Sequence, residues 1–292
     1  MATVCNPVAV SAAMPTEMAS ASSFLRPCPV DDEQTICACH VHVGIADREQ
    51  AVQVSNHLRP HLPTLIALMA NSPFWDGRDS GYASWRTLAC SRWPVAGAPP
   101  YFSSLAHYES LVSTLLETGV LLDRASIYWD VRLSSHVPTL EIRAADVATN
   151  LDDTVLLAAL VRALVAVAVA RIERGESAPR LSSELLRAAY WRAARDGMDG
   201  SGIEVHTTGR LAPAVAIAQR LLEHAHSGLD HHGDYELATS GLHRLITTGG
   251  GAAHQRAAFM RSGSLADVVD HLITHTKPTF APQLPLSRGK DA

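Results

Sequence analysis

Residues 154–170 form an unbroken stretch of Thr, Val, Leu and Ala interrupted once, by Arg162. Such a run has two physical outlets, a bilayer or the middle of a protein core, and the rest of the chain must be arranged around it. As a helix it would rise about 26 Å, less than the ~30 Å of a hydrocarbon layer. A central arginine is costly in lipid, and Asp152, Asp153 and Arg171 flank the run closely. The reading is a buried core helix in a soluble chain, with no membrane partner. With 292 residues, 47% of them hydrophobic, there is apolar material for one large domain or two small ones.

Charge and cysteine usage exclude other classes. The net charge of -5 gives no basic surplus for phosphate backbones, so a nucleic-acid partner is not expected. The five cysteines, Cys5, Cys28, Cys37, Cys39 and Cys90, are odd in number and confined to the first third. That is no disulfide framework and points to a reducing cytoplasm. The first residues lack a basic segment and carry prolines among their apolar positions, so no secretory leader is expected.

Residues 1–34, rich in Ala, Ser, Met and Pro without periodicity, are expected to be low-complexity and disordered. A folded region is expected over 35–276 and a flexible tail over 277–292. Alternation predicts a strand from Thr35 to Val43. Helices follow at Asp47–Leu58, with Asp47 as cap, and at Leu62 to about Met69. Residues 71–101, full of Gly, Pro, Trp and Arg, read as a long binding loop. A helix over 104–122 leads to two short strands, 126–133 and 139–145, as a hairpin. Everything after Asn150 reads as helix: 152–173, 181–197, 211–226, 234–247, 252–262 and 264–275. Strands followed by helices make the chain α+β, with an antiparallel sheet packed against helices.

Three groups of residues can carry chemistry. Alternation puts His40 and His42 on one strand face about 7 Å apart, with Cys37, Cys39, Val41 and Val43 on the other. Convergence of cysteines and histidines on one zinc ion is therefore disfavoured, and two exposed histidines remain the plain alternative. On the second strand of the hairpin, Thr139, Glu141 and Arg143 share a face, and Asp130 and Arg132 share one on its partner. Two acids and two arginines so gathered could hold a nucleotide phosphate and its cation, or simply pair with each other. The 71–86 loop offers Arg78, Arg86 and aromatics that could close over a ligand. Neither a P-loop nor a dinucleotide fingerprint is present.

Taken in order, several stretches resemble the carboxylate–amine ligases known as the glutamate–cysteine ligase type 2 family. They are CHVHVGIADREQAV (39–52), NSPFWDGRDSGYASWR (71–86), RWPVAG (92–97) and YWDVRLSSHVPTLEIRAADV (128–147). WRAARDGM (191–198), the 253–256 region and SLADVVDHLITHT (264–276) extend the likeness to about residues 36–276. The resemblance implies a fold similar to glutamine synthetase, with a concave active-site face on its sheet. It implies that ATP phosphorylates a carboxylate, the γ-carboxylate of glutamate, and that an amine such as cysteine displaces the phosphate. By the same resemblance His40 and Glu141 would ligate Mg²⁺, and His42 would lie near phosphate or substrate. Arg86, Arg132 and Arg143 would hold phosphate or carboxylate oxygens.

In one respect the chain departs from the family pattern. Family members begin with a strand of G-x-E-x-E form, whereas residues 1–34 contain only Glu17 and Glu33. The expectation is a sheet incomplete at its N-terminal edge, open to pairing with another chain, so a homo-oligomer is allowed for. Turnover would suffer from the absent acids. The alternative is a non-catalytic remnant that binds nucleotide or a partner.

Overall fold

The computed structural model describes residues 9–13 and 36–276, and the 277–292 tail lies outside the described residues. The long apolar run is the axis of the fold. It lies in helix α5 (Leu151–Glu173), whose Asn150 side chain caps the backbone N–H of Asp153 at 2.8 Å. Leu156, Leu157, Leu160, Val161, Leu164 and Val165 on it are each at most 2% exposed. Each such side chain contributes about 1.5–3 kcal/mol by leaving water. Helix α5 is long and apolar enough to cross a membrane by length and composition, and half of its most apolar window is packed inside the protein. Its charges are matched laterally: Arg162 with Asp234, and Asp153 with Arg244 at 2.7 Å.

Around α5 stand α1 (Arg48–Leu58), α7 (Ala214–His232) and α8 (Tyr235–Thr248). Gly228 is where α7 crosses α5, and a Cβ there would collide with the backbone of Ala163. Only glycine permits that approach. Helix α2 (Leu62–Leu68) packs on α6 (Ser183–Asp196), and α9 (Gly251–Ser262) and α10 (Leu265–His275) close the described chain. The expected helices therefore form, α7 running six residues beyond its anticipated end to the left-handed Gly233. A small hairpin of β9 (Ser201–Ile203) and β10 (Leu211–Pro213) interrupts what was expected to be all helix.

The main sheet has the order β1-β2-β8-β7, all antiparallel. Its members are β1 (Ala9–Ala13), β2 (Ala38–Gly44), β7 (Val131–Leu133) and β8 (Thr139–Asp146). Strand β1 corrects two expectations: part of the N-terminal 34 residues is regular, and the outer edge of β2 is paired. Its backbone register sets Ala9 opposite His42 and Ser11 opposite His40. Its sequence, AVSAA, contains no carboxylate. One face of the sheet buries Val41, Val43, Leu140 and Ile142 in the core, and the other carries the polar residues described below.

The 71–101 segment is more structured than expected. It contains a hairpin, β3 (Phe74–Trp75) and β4 (Arg78–Asp79), turning at Asp76 and Gly77 with φ of 50° and 75°. Two positive φ values match the twist of a tight hairpin, for which Asp-Gly is a favoured pair. Helix α3 (Trp85–Cys90) follows, capped by Ser84, and β5 (Ala96–Gly97) pairs in parallel with β6 (Tyr128–Trp129). Helix α4 (Leu105–Glu117) is capped by Ser104.

A histidine cluster beside α5 predicts how stability responds to acid. His61 is buried, with its Nδ1 3.1 Å from His206 Nε2 and its ring 4.5 Å from that of His224. Burial, then the neighbouring histidines and Arg171, hold its pKa well below the usual value. Folded His61 thus stays neutral while the unfolded chain takes a proton near pH 6.5. Stability is full above that pH and falls as the pH drops below it. The melting temperature is expected to fall between pH 7.5 and 5.5, and to fall less in His61→Asn. Equal pH dependence in the two proteins would refute this assignment.

Candidate active site

On the polar face of the sheet, one carboxylate gathers four side chains. Register puts Arg132 of β7, Glu141 of β8 and His42 of β2 in a cross-strand row. Glu141 Oε2 accepts from Arg132 Nε at 2.7 Å, and Oε1 accepts from Arg143 Nη1 at 2.7 Å. His40 Nδ1 lies 3.0 Å from Oε1 and His42 Nε2 3.9 Å from it. The ladder shifts between Cys39 and Val41, so His40 sits at an irregularity that aims its ring at Glu141. His42 Nδ1 is 3.0 Å from Thr139 Oγ1, which holds the ring across the strands.

Electrostatics fix the protonation states. Burial opposes ionisation of Glu141, but the hydrogen bond with His40 and the charges of Arg143 and Arg132 outweigh it. Its carboxyl is held far below the usual carboxylate range. Burial also lowers the His40 pKa, more than Glu141 raises it, so His40 is a neutral imidazole donating to the carboxylate. Burial and then Arg132 destabilise the Arg143 cation, and Glu141 only partly compensates. One anion between two guanidiniums leaves a surplus positive charge. Arg132 commits Nε to Glu141 and Nη1 to the carbonyls of Ala125 and Ile127 at 2.6 and 2.7 Å. Among the described residues Arg143 bonds through Nη1 alone, to Glu141.

The expected Mg²⁺ site fits this donor set poorly. Mg²⁺ takes oxygen ligands in near-octahedral order. The one carboxylate of the cluster already has both oxygens engaged by Arg132, Arg143 and His40. Among the described residues no group of three or more His, Cys, Asp or Glu is arranged to hold a metal ion. His40 and Glu141 are thus neighbours, as alternation requires, but bonded to each other within an ion-pair network.

Arg86 also stands elsewhere than expected. It is 6% exposed on α3, with Nε 2.6 Å from Asp146 Oδ1, Nη2 donating to the Ala144 carbonyl and Nη1 3.7 Å from Cys90 Sγ. Every arm of the fork is occupied by protein, so it organises the loop rather than reaching for a phosphate. Asp146 completes the hub: Oδ1 also accepts from Ser84 Oγ at 2.9 Å, and Oδ2 from the Asn71 N–H and Ser72 Oγ at 2.8 and 2.7 Å. Asp130 does not join Glu141 directly. It is buried, hydrogen-bonded to Tyr190 and within the field of Arg86, and its own field still reaches Arg143. The importance of Asp146 was missed in the sequence, although its place three residues past Arg143 was visible.

Comparison with known proteins places the chain in a family. The model of the glutamate–cysteine ligase family 2 matches residues 27–271. The chain belongs to that family. It is 47% identical over 251 residues to "Putative glutamate--cysteine ligase 2" of Salinispora arenicola, covering 86% of this chain and 66% of that protein. It is 48% identical over 250 residues to "Putative glutamate--cysteine ligase 2-2" of Frankia alni, covering 86% and 65%. The chain thus spans just under two thirds of the length of these relatives. Among solved structures, the glutamate–cysteine ligase (gshA) of Francisella tularensis in complex with AMP superposes with a TM-score of 0.60 at 10% identity. That match covers 83% of this chain and 63% of the other, a likeness of fold. Every residue of the Glu141 cluster falls inside the matched span.

Proposed function

We propose that this chain carries the nucleotide and carboxylate site of an ATP-dependent carboxylate–amine ligase of the glutamate–cysteine type. The observation that supports it most is the surplus positive charge at Arg143, whose Nε and Nη2 bond no protein group among the described residues. A partly buried, under-neutralised guanidinium is suited to phosphate or carboxylate oxygens. The family membership and the AMP bound to the structural neighbour point to the same ligand class.

In this reading a carboxylate oxygen of the first substrate, the γ-carboxylate of glutamate, attacks the γ-phosphorus of ATP. The bond to the β,γ-bridging oxygen breaks, ADP leaves, and an acyl phosphate remains. An amine nitrogen, that of cysteine in the family reading, then adds to the acyl carbon. The C–O bond to phosphate breaks, and the amine loses a proton. Arg143 spreads the charge that moves onto the phosphoryl oxygens, and Arg132 and Glu141 hold it in place. His42, facing Glu141 and tied to Thr139, lies where a phosphate or substrate oxygen would meet its ring. A second reading, nucleotide binding without turnover, is favoured by the sequence of β1, which brings no carboxylate to the edge of the sheet.

Titration with a fluorescent ATP analogue tests the shared part of both readings. Wild type is expected to bind it, and Arg143→Ala to weaken binding about tenfold or more, the scale of one hydrogen bond to a charged group. Failure of the wild type to bind, or equal affinity in the variant, overturns the assignment. ADP release with glutamate and a panel of amines then separates ligase from nucleotide-binding remnant.

A further inference from the structure

A cleft of about 250 Å³ opens beside the C-terminal half of α5, and no residue of the Glu141 cluster lines it. Four histidines converge there from distant parts of the chain. They are His57 on α1, His61 at the cap of α2, His206 in the β9–β10 loop and His224 on α7. His57 and His61 are buried, His224 is half-buried and His206 is exposed at the rim. Arg171 of α5 and Ser177 supply the rest of the polar lining, and among the described residues no acid lines the cleft. The two acids whose fields reach the rings are engaged elsewhere. Glu176 accepts from Arg171 Nε at 2.8 Å and from Arg174 Nε at 2.6 Å, and Glu204 accepts from Arg220 Nε at 2.6 Å. One carboxylate between Arg171 and Arg174 leaves a surplus positive charge on the cleft wall even while every imidazole is neutral. His61 Nδ1 and His206 Nε2 face each other at 3.1 Å, so as neutral rings they share one proton. A second proton turns both nitrogens into donors, which repel each other unless an acceptor meets them.

That lining selects the charge of what it can hold. Clustered imidazoles suggest a transition metal, but these rings are not arranged to share an ion, and Arg171 would repel one. A small anion meets the opposite field, with imidazole and guanidinium N–H groups and the Ser177 hydroxyl to donate to it. The cleft is smaller than the ~300–1,000 Å³ of pockets for drug-sized ligands, so its occupant has only a few heavy atoms. We propose that this histidine cleft binds a small tetrahedral oxyanion, phosphate or sulfate, together with a proton taken up by the His61–His206 pair. Without the anion, burial and then His206, His224, Arg171 and His57 keep His61 neutral. Burial and then His224 hold His206 down as well, and Glu204 only partly offsets them. Arg171 acts in the same direction on His57 and His224, with Glu176 opposing it at His57. An anion reverses the sign of that field, and the pair ionises.

Calorimetric titration with sulfate, a dianion throughout pH 5.5–7.5, tests the coupling, with chloride holding the ionic strength constant. Uptake of one proton makes the affinity rise about tenfold for each unit by which the pH falls. His206→Asn lies at the exposed rim, so the fold should hold while sulfate affinity at pH 5.5 drops about tenfold or more, the scale of a hydrogen bond to a charged group. Arg171→Gln should weaken sulfate at every pH, because that charge does not titrate. Phosphate separates the two sources. At pH 7.5 it carries a proton that a neutral imidazole can accept, so tighter binding than sulfate there names phosphate as the ligand, and weaker binding names sulfate. No heat with either anion at millimolar concentration and pH 5.5, a sulfate affinity that does not change with pH, or equal affinity in His206→Asn overturns the proposal. Zinc that binds the wild type at micromolar concentration but not His206→Asn overturns it too, by making the cleft a metal site. None of these readouts requires turnover, so the ligase reading stands or falls separately.

Discussion

Replacing Arg86 by Ala is expected to remove about 3–5 kcal/mol of folding stability, the cost of stranding a buried charge. Asp146 is 3% exposed and would keep three neutral donors, from Asn71, Ser72 and Ser84, but lose its one cationic partner among the described residues. The Ala144 carbonyl would lose its side-chain donor as well. Against a total of about 5–15 kcal/mol for a typical domain this is a large fraction. Urea titration should show a lower midpoint for Arg86→Ala. The double variant Arg86→Ala/Asp146→Asn should cost less than the two single changes added together, because no unpaired charge remains. A loss below about 1 kcal/mol would mean that water reaches Asp146 and the hub is not the buried pair described.

Glu141→Gln has the other large effect, through repulsion rather than an orphaned acid. The substitution preserves shape but leaves Arg132 and Arg143 facing each other across a neutral amide, and removing one member of a buried ionic group costs about 3–5 kcal/mol. The sign of its pH dependence follows from the depressed Glu141 pKa. The wild-type carboxylate contributes its full stability above the unfolded value of about 4.3 and loses it as the pH falls toward the folded value. The difference between wild type and Glu141→Gln should therefore be largest near pH 7 and shrink below about pH 4. Denaturation midpoints at pH 7, 5 and 3.5 measure it. A constant difference would mean that the carboxylate is not ionised in the folded protein.

Much of this arrangement was legible in local pattern. Period-two alternation put His40 with His42 and Glu141 with Arg143, and the register joined both pairs on one face. Asp47 marked a helix start because its side chain can accept an orphan N–H of a first turn, as Ser104 and Asn150 also do in the structure. What local pattern could not carry was the destination of each guanidinium. Arg86 and Arg143 are alike as letters, but Arg86 meets a buried aspartate sixty residues away in sequence while Arg143, among the described residues, bonds only Glu141. Strand β1 was invisible for a related reason. AVSAA has one branched residue, Val10, and no aromatic to announce a strand, and its pairing depends on an edge that only the folded sheet provides.

One contact of α9 bears on when the site can exist. Gln255 Nε2 donates to both the carbonyl and the side-chain oxygen of Asn71 at 2.7 Å, 184 residues earlier. Asn71 in turn donates its N–H to Asp146, at the end of the strand that carries Glu141. Local helices such as α1 can form as soon as they leave the ribosome, but this clasp cannot, and neither can the pairing of β2 with β8 across 97 residues. The loop that Arg86 organises is therefore fastened last, by almost the final described helix. The clasp on Asn71 therefore forms only after α9 has been made, when the local helices before it are already shaped.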